Sequence, residues 1–465
     1  ALEQRYSGAN PLPEAMRGEL DAVRAFLQLW SGDIAGGAAR AQQALRRLPP
    51  DERLLRMLTI WMSQVIGLFG EGNLAEAERS VSVVAEDSRR SGNMLVAFIA
   101  LVTKASAQIY RCRLRDAAET CEEALRLLPE HGKVEVPMAA MAYCLLGEIR
   151  REWNDLDTAE TLLRRALTIS ENLGSPEYIN DGLIYLGQVL LARGQYDEAL
   201  ATFERIRTMV RARQLAPWDL TQMEIMRARA LIARGDLEDA SRWAEARLRM
   251  RQRGDVGPTP PLAFMNDLED LSIARIFLAR GDADAATTIL EPVRARAMET
   301  EQWRNLMEAR MLLALAHAQT GATDAALCEL DAALTIAAPE GFVRVFLDEG
   351  ESLADLLERY LASQPRESST APRAAPGARE HARRLLAAFG RAVESTPGAL
   401  AETLSAREID VLRLLAQGHS NEAIASDLVL ALSTIKWHVA HIYRKLGVRG
   451  RVQAVARARE LRLIA

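Results

Sequence analysis

One short fragment recurs eight times along the chain and constrains the fold more than any other feature. Gly32-Asp-Ile, Gly72-Asn-Leu, Cys112-Arg-Leu, Asn154-Asp-Leu, Gly194-Gln-Tyr, Gly235-Asp-Leu, Gly281-Asp-Ala and Gly321-Ala-Thr start 40, 40, 42, 40, 41, 46 and 40 residues apart. A fixed period of this size is the mark of a stacked array. Seven residues before each turn stand Ala25, Val65, Ala105, Gly147, Gly187, Ala228, Ala274 and Ala314. Five residues after it stand Gly37, Ala77, Ala117, Ala159, Ala199, Ala240, Ala286 and Ala326. Small residues at fixed offsets on both sides of a turn are what two antiparallel helices need where their backbones approach closely. Each unit is therefore expected to be a helical hairpin. Further apolar positions follow nine and twelve residues after the turn, as in Cys121 with Ala124, Leu163 with Ala166, Phe203 with Ile206 and Leu330 with Ala333; Arg247 departs from the pattern. This spacing gives the second helix an apolar stripe that only stacking can cover. Strand-type alternation is absent, and the expected fold class is all-α.

Over about residues 15 to 340 the pattern resembles the tetratricopeptide repeat, with a 40-residue step in place of about 34 implying longer helices. This longer form resembles the superhelical sensor solenoid of large bacterial regulators of the MalT type. The 46-residue step contains Gly254-Asp-Val-Gly-Pro-Thr-Pro-Pro261, a turn-rich insertion expected to loop out. After the last unit, Gly341-Phe-Val-Arg-Val-Phe-Leu-Asp-Glu-Gly350 resembles a junction segment of the same regulators. Residues 363 to 380 hold three prolines without apolar periodicity and read as a flexible linker, interrupted by a short apolar helix from Ala382 to Phe389. The expected division is a sensor solenoid over 1–362, a linker with a short helix over 363–403 and a DNA-binding domain over 404–465.

The last 62 residues read differently. Leu404-Ser-Ala-Arg-Glu408 can form a capping box, in which the Ser405 hydroxyl accepts from an orphan amide while Glu408 reaches back. Ile409, Val411, Leu412, Leu414 and Leu415 give the following helix an apolar face, and Gly418 supplies a left-handed stop. Further helices are expected over Asn421 to Leu428, about Leu432 to Leu446, and Val452 to Leu463. Three short helices with a tight turn between the second and third make a helix-turn-helix. The residues resemble the LuxR-type DNA-binding domain in Leu404-Ser-x-Arg-Glu, Gly418-His-Ser-Asn-Glu-Ala-Ile-Ala425, Thr434-Ile-Lys-x-His438 and Ile442-Tyr-Arg-Lys-Leu-Gly-Val448. Ala431 stands where that family usually has Ser, and Gly450-Arg-Val452 where it has Ser-Arg-Thr.

Charge supports the same reading. Residues 404–465 hold ten Lys and Arg against five Asp and Glu, while the whole chain carries −5, so the body is acidic and the tail basic. From Leu430 to the end there are eight bases and one acid, suited to phosphates and counterion release. Lys436, Trp437 and Ala440 fall on one helix face, where the resemblance places base-edge contacts: Lys436 can donate to guanine, Trp437 can touch a thymine methyl, and Ala440 can give apolar contact only. Thr434, Arg444, Lys445, Arg449 and Arg451 suit the phosphate backbone, and His438 suits phosphate contact or packing better than a metal.

These features lead to a sequence-specific transcriptional regulator, an activator controlled by a ligand or partner sensed in the solenoid. A peptide-binding scaffold is the alternative, and it leaves the basic face without a use. In stacked hairpins the position six residues before each turn points into the concave wall. That position reads Phe26, Ile66, Ser106, Glu148, Gln188, Arg229, Arg275 and Leu315. Glu148, Gln188, Arg229 and Arg275, with Arg151 and Tyr185 nearby, are the expected ligand-binding residues, in a solvated groove or paired with one another.

Double-stranded DNA, RNA polymerase and a small-molecule inducer or regulatory protein are the expected partners, with self-association on DNA. No phosphate-cradling Gly-x-x-x-x-Gly-Lys-Ser/Thr occurs, since the one Gly-Lys is Gly132-Lys133 with Leu127 at the first glycine's place. No cofactor is expected here; the resemblance places ATP in a nucleotide-binding portion preceding such a solenoid, so the chain is expected to be the C-terminal part of a longer regulator. Protease, hydrolase, kinase and metal-site signatures are missing, so no enzyme is expected. The longest apolar run, Met94 to Val102, is nine residues, far short of a membrane span, and a cytoplasmic protein is expected. Cys112, Cys121, Cys144 and Cys328 lack metal or redox spacing and are expected as buried free thiols.

Overall fold

In the computed structural model of the chain, Cys112, Asn154, Gly194, Gly235, Gly281 and Gly321 all take left-handed backbone, with φ of 55, 61, 75, 92, 79 and 77°. These are the turn residues of six repeats, so the register read from spacing is the register of the fold. Cys112 and Asn154 hold this conformation without being glycine, which side chains other than Asn and Asp adopt at a cost. The structure describes residues 13–30, 33–49, 55, 56, 59, 73–128, 139–172, 174–212, 219–253, 263–363, 377–391, 406–427, 435, 438, 439, 442, 443, 446, 448, 450–460 and 463. The insertion at 254–261 lies outside them.

Two compact units result, 1–391 and 392–465. In the first, α1 (Glu14–Trp30) and α2 (Ile34–Arg47) form a hairpin, and α3 (Leu74–Arg90) follows as the second helix of the next repeat. Then come α4 (Met94–Tyr110) with α5 (Leu114–Arg126), α6 (Ala139–Glu152) with α7 (Leu156–Asn172), and α8 (Pro176–Ala192) with α9 (Tyr196–Arg211). The array continues with α10 (Asp219–Arg234) and α11 (Leu237–Gln252), α12 (Ala263–Ala279) and α13 (Ala283–Glu299), and α14 (Trp303–Gln319) and α15 (Thr323–Ala337). Some of the second helices start on short polar caps: Asp33, Asn73 and Asp282 accept from the amides of Gly36, Glu76 and Ala285.

The small residues are where the helices meet. Ala105, Ala274 and Ala314 before the turn, and Ala77, Ala117, Ala159, Ala199, Ala240, Ala286 and Ala326 after it, are fully buried. Where the earlier position is glycine, a larger residue fills the space. A Cβ on Gly147 would fall 2.6 Å from Leu163 Cγ, and one on Gly187 2.3 Å from Phe203 Cε1. The departing Arg247 reaches the buried Glu269 of α12 through Nε at 3.1 Å and Nη2 at 2.7 Å. Cys112, Cys121 and Cys144 are buried free thiols, whereas Cys328 is exposed because it falls outside the apolar stripe of α15.

The chain leaves the array between two left-handed glycines, Gly341 (φ 72°) and Gly350 (φ 75°), which bracket the single-turn α16 (Arg344–Leu347). Phe342 and Phe346 are fully buried there. Next come α17 (Glu351–Ala362) and α18 (Ala378–Ala388). The short helix expected inside a free linker is this α18. It packs on α15, α16 and α17, with Ala382, Leu385 and Leu386 buried, so the first unit continues to Arg391 and does not stop near 362. Its apolar stripe was too short to show from sequence that it had a surface to dock on.

The second unit contains α19 (Ala406–Ala416), α20 (Asn421–Asp427) and α21 (Arg451–Glu460), and Ile435, His438, Val439, Ile442 and Tyr443 are also helical. Its core joins Val411, Leu412, Leu415, Ile424, Ile435, Val439, Ile442, Leu446, Ala454 and Ala458. Gly418 is left-handed at φ 94°, and the His419 amide donates to Leu414 O at 3.2 Å, closing α19 as expected. Among the described residues no helix is long and apolar enough to cross a membrane.

Candidate functional site

The inner positions of successive first helices converge. Ser106, Glu148, Gln188, Arg229 and Arg275 line one small cavity of about 80 Å³, together with Tyr110, Tyr185, Ser272, Arg304 and Glu308. Arg229 and Arg275 also line a second cavity, of about 420 Å³. Its far wall is built by Asp348, Glu349, Ser352, Asp355, Leu356 and Arg359, from the junction and α17. The ladder expected from the repeat offset therefore exists, but it is not a solvated groove. Glu148, Gln188 and Arg275 are buried, and Arg229 is largely so.

What closes the wall is the junction itself, which returns to residues some 190 positions earlier. The Val343 amide donates to Glu152 O at 2.9 Å and the Val345 amide to Glu152 Oε2 at 3.2 Å. Trp153 Nε1 donates to Glu340 O at 2.9 Å, and the Arg115 amide to Glu340 Oε2 at 3.0 Å. The hydrogen-bonding groups of this short segment are thus met by two distant hairpins, as buried backbone requires.

Ten charges meet where the segment docks. Arg151 pairs with Asp348 and donates to Glu152 Oε1 at 2.9 Å. Arg304 Nη2 bridges Glu148 and Glu152, each at 2.8 Å. Arg275 holds Glu308 at 2.7 Å and Glu349 at 2.8 Å, and Arg344 pairs with Asp348. All five acids thus have a direct arginine partner. Arg229 is the exception among the five arginines: its nearest carboxylates are Asp348 at 3.8 Å and Glu349 at 4.0 Å. Burying charge is costly unless it is paired, and the pairing here is nearly complete.

The protonation equilibria report the same balance. Burial acts to raise the Glu308 carboxyl, but Arg275, Arg304 and Arg229 outweigh it and hold the group at about 2. Asp348 is likewise held below the usual carboxylate range by Arg151, Arg344 and Arg229 against its burial. At Glu152 burial prevails over Arg304 and Arg151, and the carboxyl is raised. Burial and the neighbouring Arg275 lower Arg229, the response of a cation whose counter-charges stand off.

Of the expected ligand-binding residues, Glu148, Tyr185, Gln188, Arg229 and Arg275 share one cavity, and Arg151 lines neither cavity because Glu152 and Asp348 take its guanidinium. Arg304, Glu308, Asp348 and Glu349 were missed. The one available signal was the acidic pair Asp348-Glu349 at the end of a junction that is apolar between its glycines except for Arg344.

Of the expected DNA-contacting residues, Thr434, Lys436, Trp437, Ala440, Arg444, Lys445 and Arg449 lie outside the described residues. Ile435, Val439, Ile442 and Leu446 are buried at i, i+4, i+7 and i+11, the period of a helix with one face on a core. His438 is half-buried. Arg451 Nη2 donates to Leu415 O at 2.7 Å, so this residue fastens α21 to the C-terminal end of α19.

A model of the MalT-like TPR region matches residues 18–363, and one of bacterial regulatory proteins of the luxR family matches residues 402–458. The chain is 27% identical over 464 residues to the HTH-type transcriptional regulator MalT of Yersinia pestis (strain Pestoides F), covering 97% of this chain and 50% of that protein. The MalT of Serratia proteamaculans (strain 568) is 27% identical over 491 residues, covering 99% of this chain and 52% of that protein. The chain thus spans about half the length of these curated relatives. Among solved structures, the Rap conjugation gene regulator of plasmid pLS20 in complex with the Phr* peptide aligns with a TM-score of 0.49 at 13% identity, covering 72% of this chain and 98% of that one.

Proposed function

From the premise that this chain belongs to the family of MalT-like tetratricopeptide regions and carries a luxR-family domain behind it, we propose that it is the sensing and DNA-binding portion of a transcriptional activator. The observation that carries the reading is the basic tail: eight bases and one acid over residues 430–465, on a domain whose helical stripe at Ile435, Val439, Ile442 and Leu446 is buried. Lys436 and Trp437 read base edges, Ala440 gives apolar contact, and Thr434, His438, Arg444, Lys445 and Arg449 hold phosphates. Arg451 has an internal bond to keep and serves the backbone only with the donors left over. The solenoid receives a small-molecule inducer or a regulatory protein. Self-association on DNA compensates for the weakness of one small reader. RNA polymerase is the partner downstream, and ATP belongs to a portion outside this chain.

Footprinting of the full chain on the DNA upstream of its neighbouring genes tests the reading. Lys436→Ala is expected to cost about 1–3 kcal/mol and relax preference at one base pair, while Arg444→Ala weakens all sequences alike and flattens the salt slope. Equal losses on every sequence from both changes contradict the division of roles, and no protection at all contradicts the regulator.

A further inference from the structure

The 420 Å³ cavity between the solenoid wall and α17 has an uneven charge account. Three acids line it, and each is already held: Asp348 by Arg151 and Arg344, Glu349 by Arg275, and Asp355 by Arg391 at 2.7 Å. Three arginines line it too, and only Arg275 is fully engaged. Arg229 has carboxylates no nearer than 3.8 Å, and the side chain of Arg359 donates to the neutral hydroxyl of Thr323 at 2.8 Å, with no acid in ion-pair range among the described residues. The under-paired charge of this cavity is therefore positive. The rest of the lining is largely apolar, from Ile232, Ala233, Leu278, Ala279, Leu315 and Leu356. A concave apolar wall with a few convergent polar groups is the usual make-up of a small-molecule site.

We propose that this cavity binds a small amphipathic organic acid, its anionic group paired with Arg229 and Arg359 and its hydrocarbon body laid along Ile232, Leu278, Leu315 and Leu356. The proposal rests on the regulator reading and gives it a ligand class. Occupancy is felt beyond the repeats because six of the fifteen lining residues belong to the segment 348–359. An added anion beside Asp348 and Glu349 weakens their hold on the arginines. The same segment is tied to α18, where His381 Nε2 donates to Phe342 O at 2.8 Å and its ring meets Phe346 edge-on at 6.0 Å between centroids. In sequence, α18 is the last described helix before the second unit.

Titration calorimetry on the full chain with hexanoate, its neutral amide hexanamide and hexylammonium tests the assignment. A ligand of this size is expected to bind in the millimolar range. Hexanoate should bind at one site, about tenfold more tightly than hexanamide, with hexylammonium excluded, and Arg229→Gln should remove that preference, an effect of the size expected for one charge-assisted bond. Because Arg229→Gln could perturb the wall, Ser352→Asp provides a second variant: this exposed rim residue gains a negative charge, and hexanoate should weaken several-fold while Ser352→Asn changes nothing. No hexanoate binding, equal binding of acid and amide, or indifference to both Arg229→Gln and Ser352→Asp overturns the site. Footprinting on the same preparations separates the two claims: intact DNA protection without hexanoate binding sinks only the site, and hexanoate binding without protection sinks only the regulator.

Discussion

Arginine–carboxylate pairs occur on the outer and the inner surface of the same solenoid, and they do different work. On α11 the Arg242 guanidinium pairs with Glu238 at 2.7 Å, one turn away, with side chains 63% and 88% exposed. Inside, Arg275 pairs with Glu308 at a matching 2.7 Å, but the side chains are 7% and 5% exposed and sit on different hairpins. The outer pair is local, screened and formed by any straight helix of that sequence. The inner pair exists only when the superhelix has the right pitch. Identical chemistry thus decorates one wall and specifies closure at the other.

The strongest way to break the comparison is Arg304→Ala. It leaves Glu148, Glu152 and Glu308 short of a shared cation and should destabilise the first unit by about 3–5 kcal/mol, read as a lower Tm. A loss no larger than that of an outer arginine would put the two walls on the same footing.

Acid comes next. Burial lowers the His381 imidazole from 6.5 to about 4, with Arg384 contributing and the bond to Phe342 O opposing. The unfolded chain therefore takes up this proton first. Stability from His381 is complete above about 6.5 and drains as pH falls towards 4, by about 3 kcal/mol. Glu308 acts lower down: held at about 2, its contribution is whole above 4.5 and lost as pH falls through 2. Thermal melts should fall between pH 7 and 4 in the wild type and flatten in His381→Leu over the same range.

Smaller still, Arg229→Met should change stability by no more than about 1 kcal/mol in either direction, although the same change at Arg275 is costly, because the acids that Arg229 faces at 3.8 and 4.0 Å, Asp348 and Glu349, each keep a closer arginine. The smallest effect belongs to Arg242→Ala, expected within about 0.5 kcal/mol. Denaturant titrations of the two ladder variants side by side show whether burial or direct pairing sets the cost.

The local architecture was legible because it depends on neighbours in sequence. Turn register, close-approach residues and the exchange of Gly187 for room beside Phe203 follow from spacing and size alone. Closure was not legible. A repeat period dictates how one hairpin stacks on the next, but small errors in pitch accumulate over five units, so nothing in the spacing says that Val343 will reach Glu152. The ladder position was found by its offset, and its burial was missed because the lid, Asp348 and Glu349, lies outside the repeat. Glu301, left-handed at φ 54°, escaped because its turn joins two repeats and lacks the glycine that Gly92 and Gly174 supply at the corresponding turns.

The central claim is that residues 342–350 are docked on the inner wall and held by its charges. Hydrogen exchange of the full chain, followed by mass spectrometry on peptides covering 342–350 and 156–172, tests it directly. Protection at 342–350 in the wild type, lost on Arg151→Met while α7 (Leu156–Asn172) stays protected, is the predicted result. Amides at 342–350 that exchange freely in the wild type, or that keep full protection when Arg151 is replaced, would contradict it.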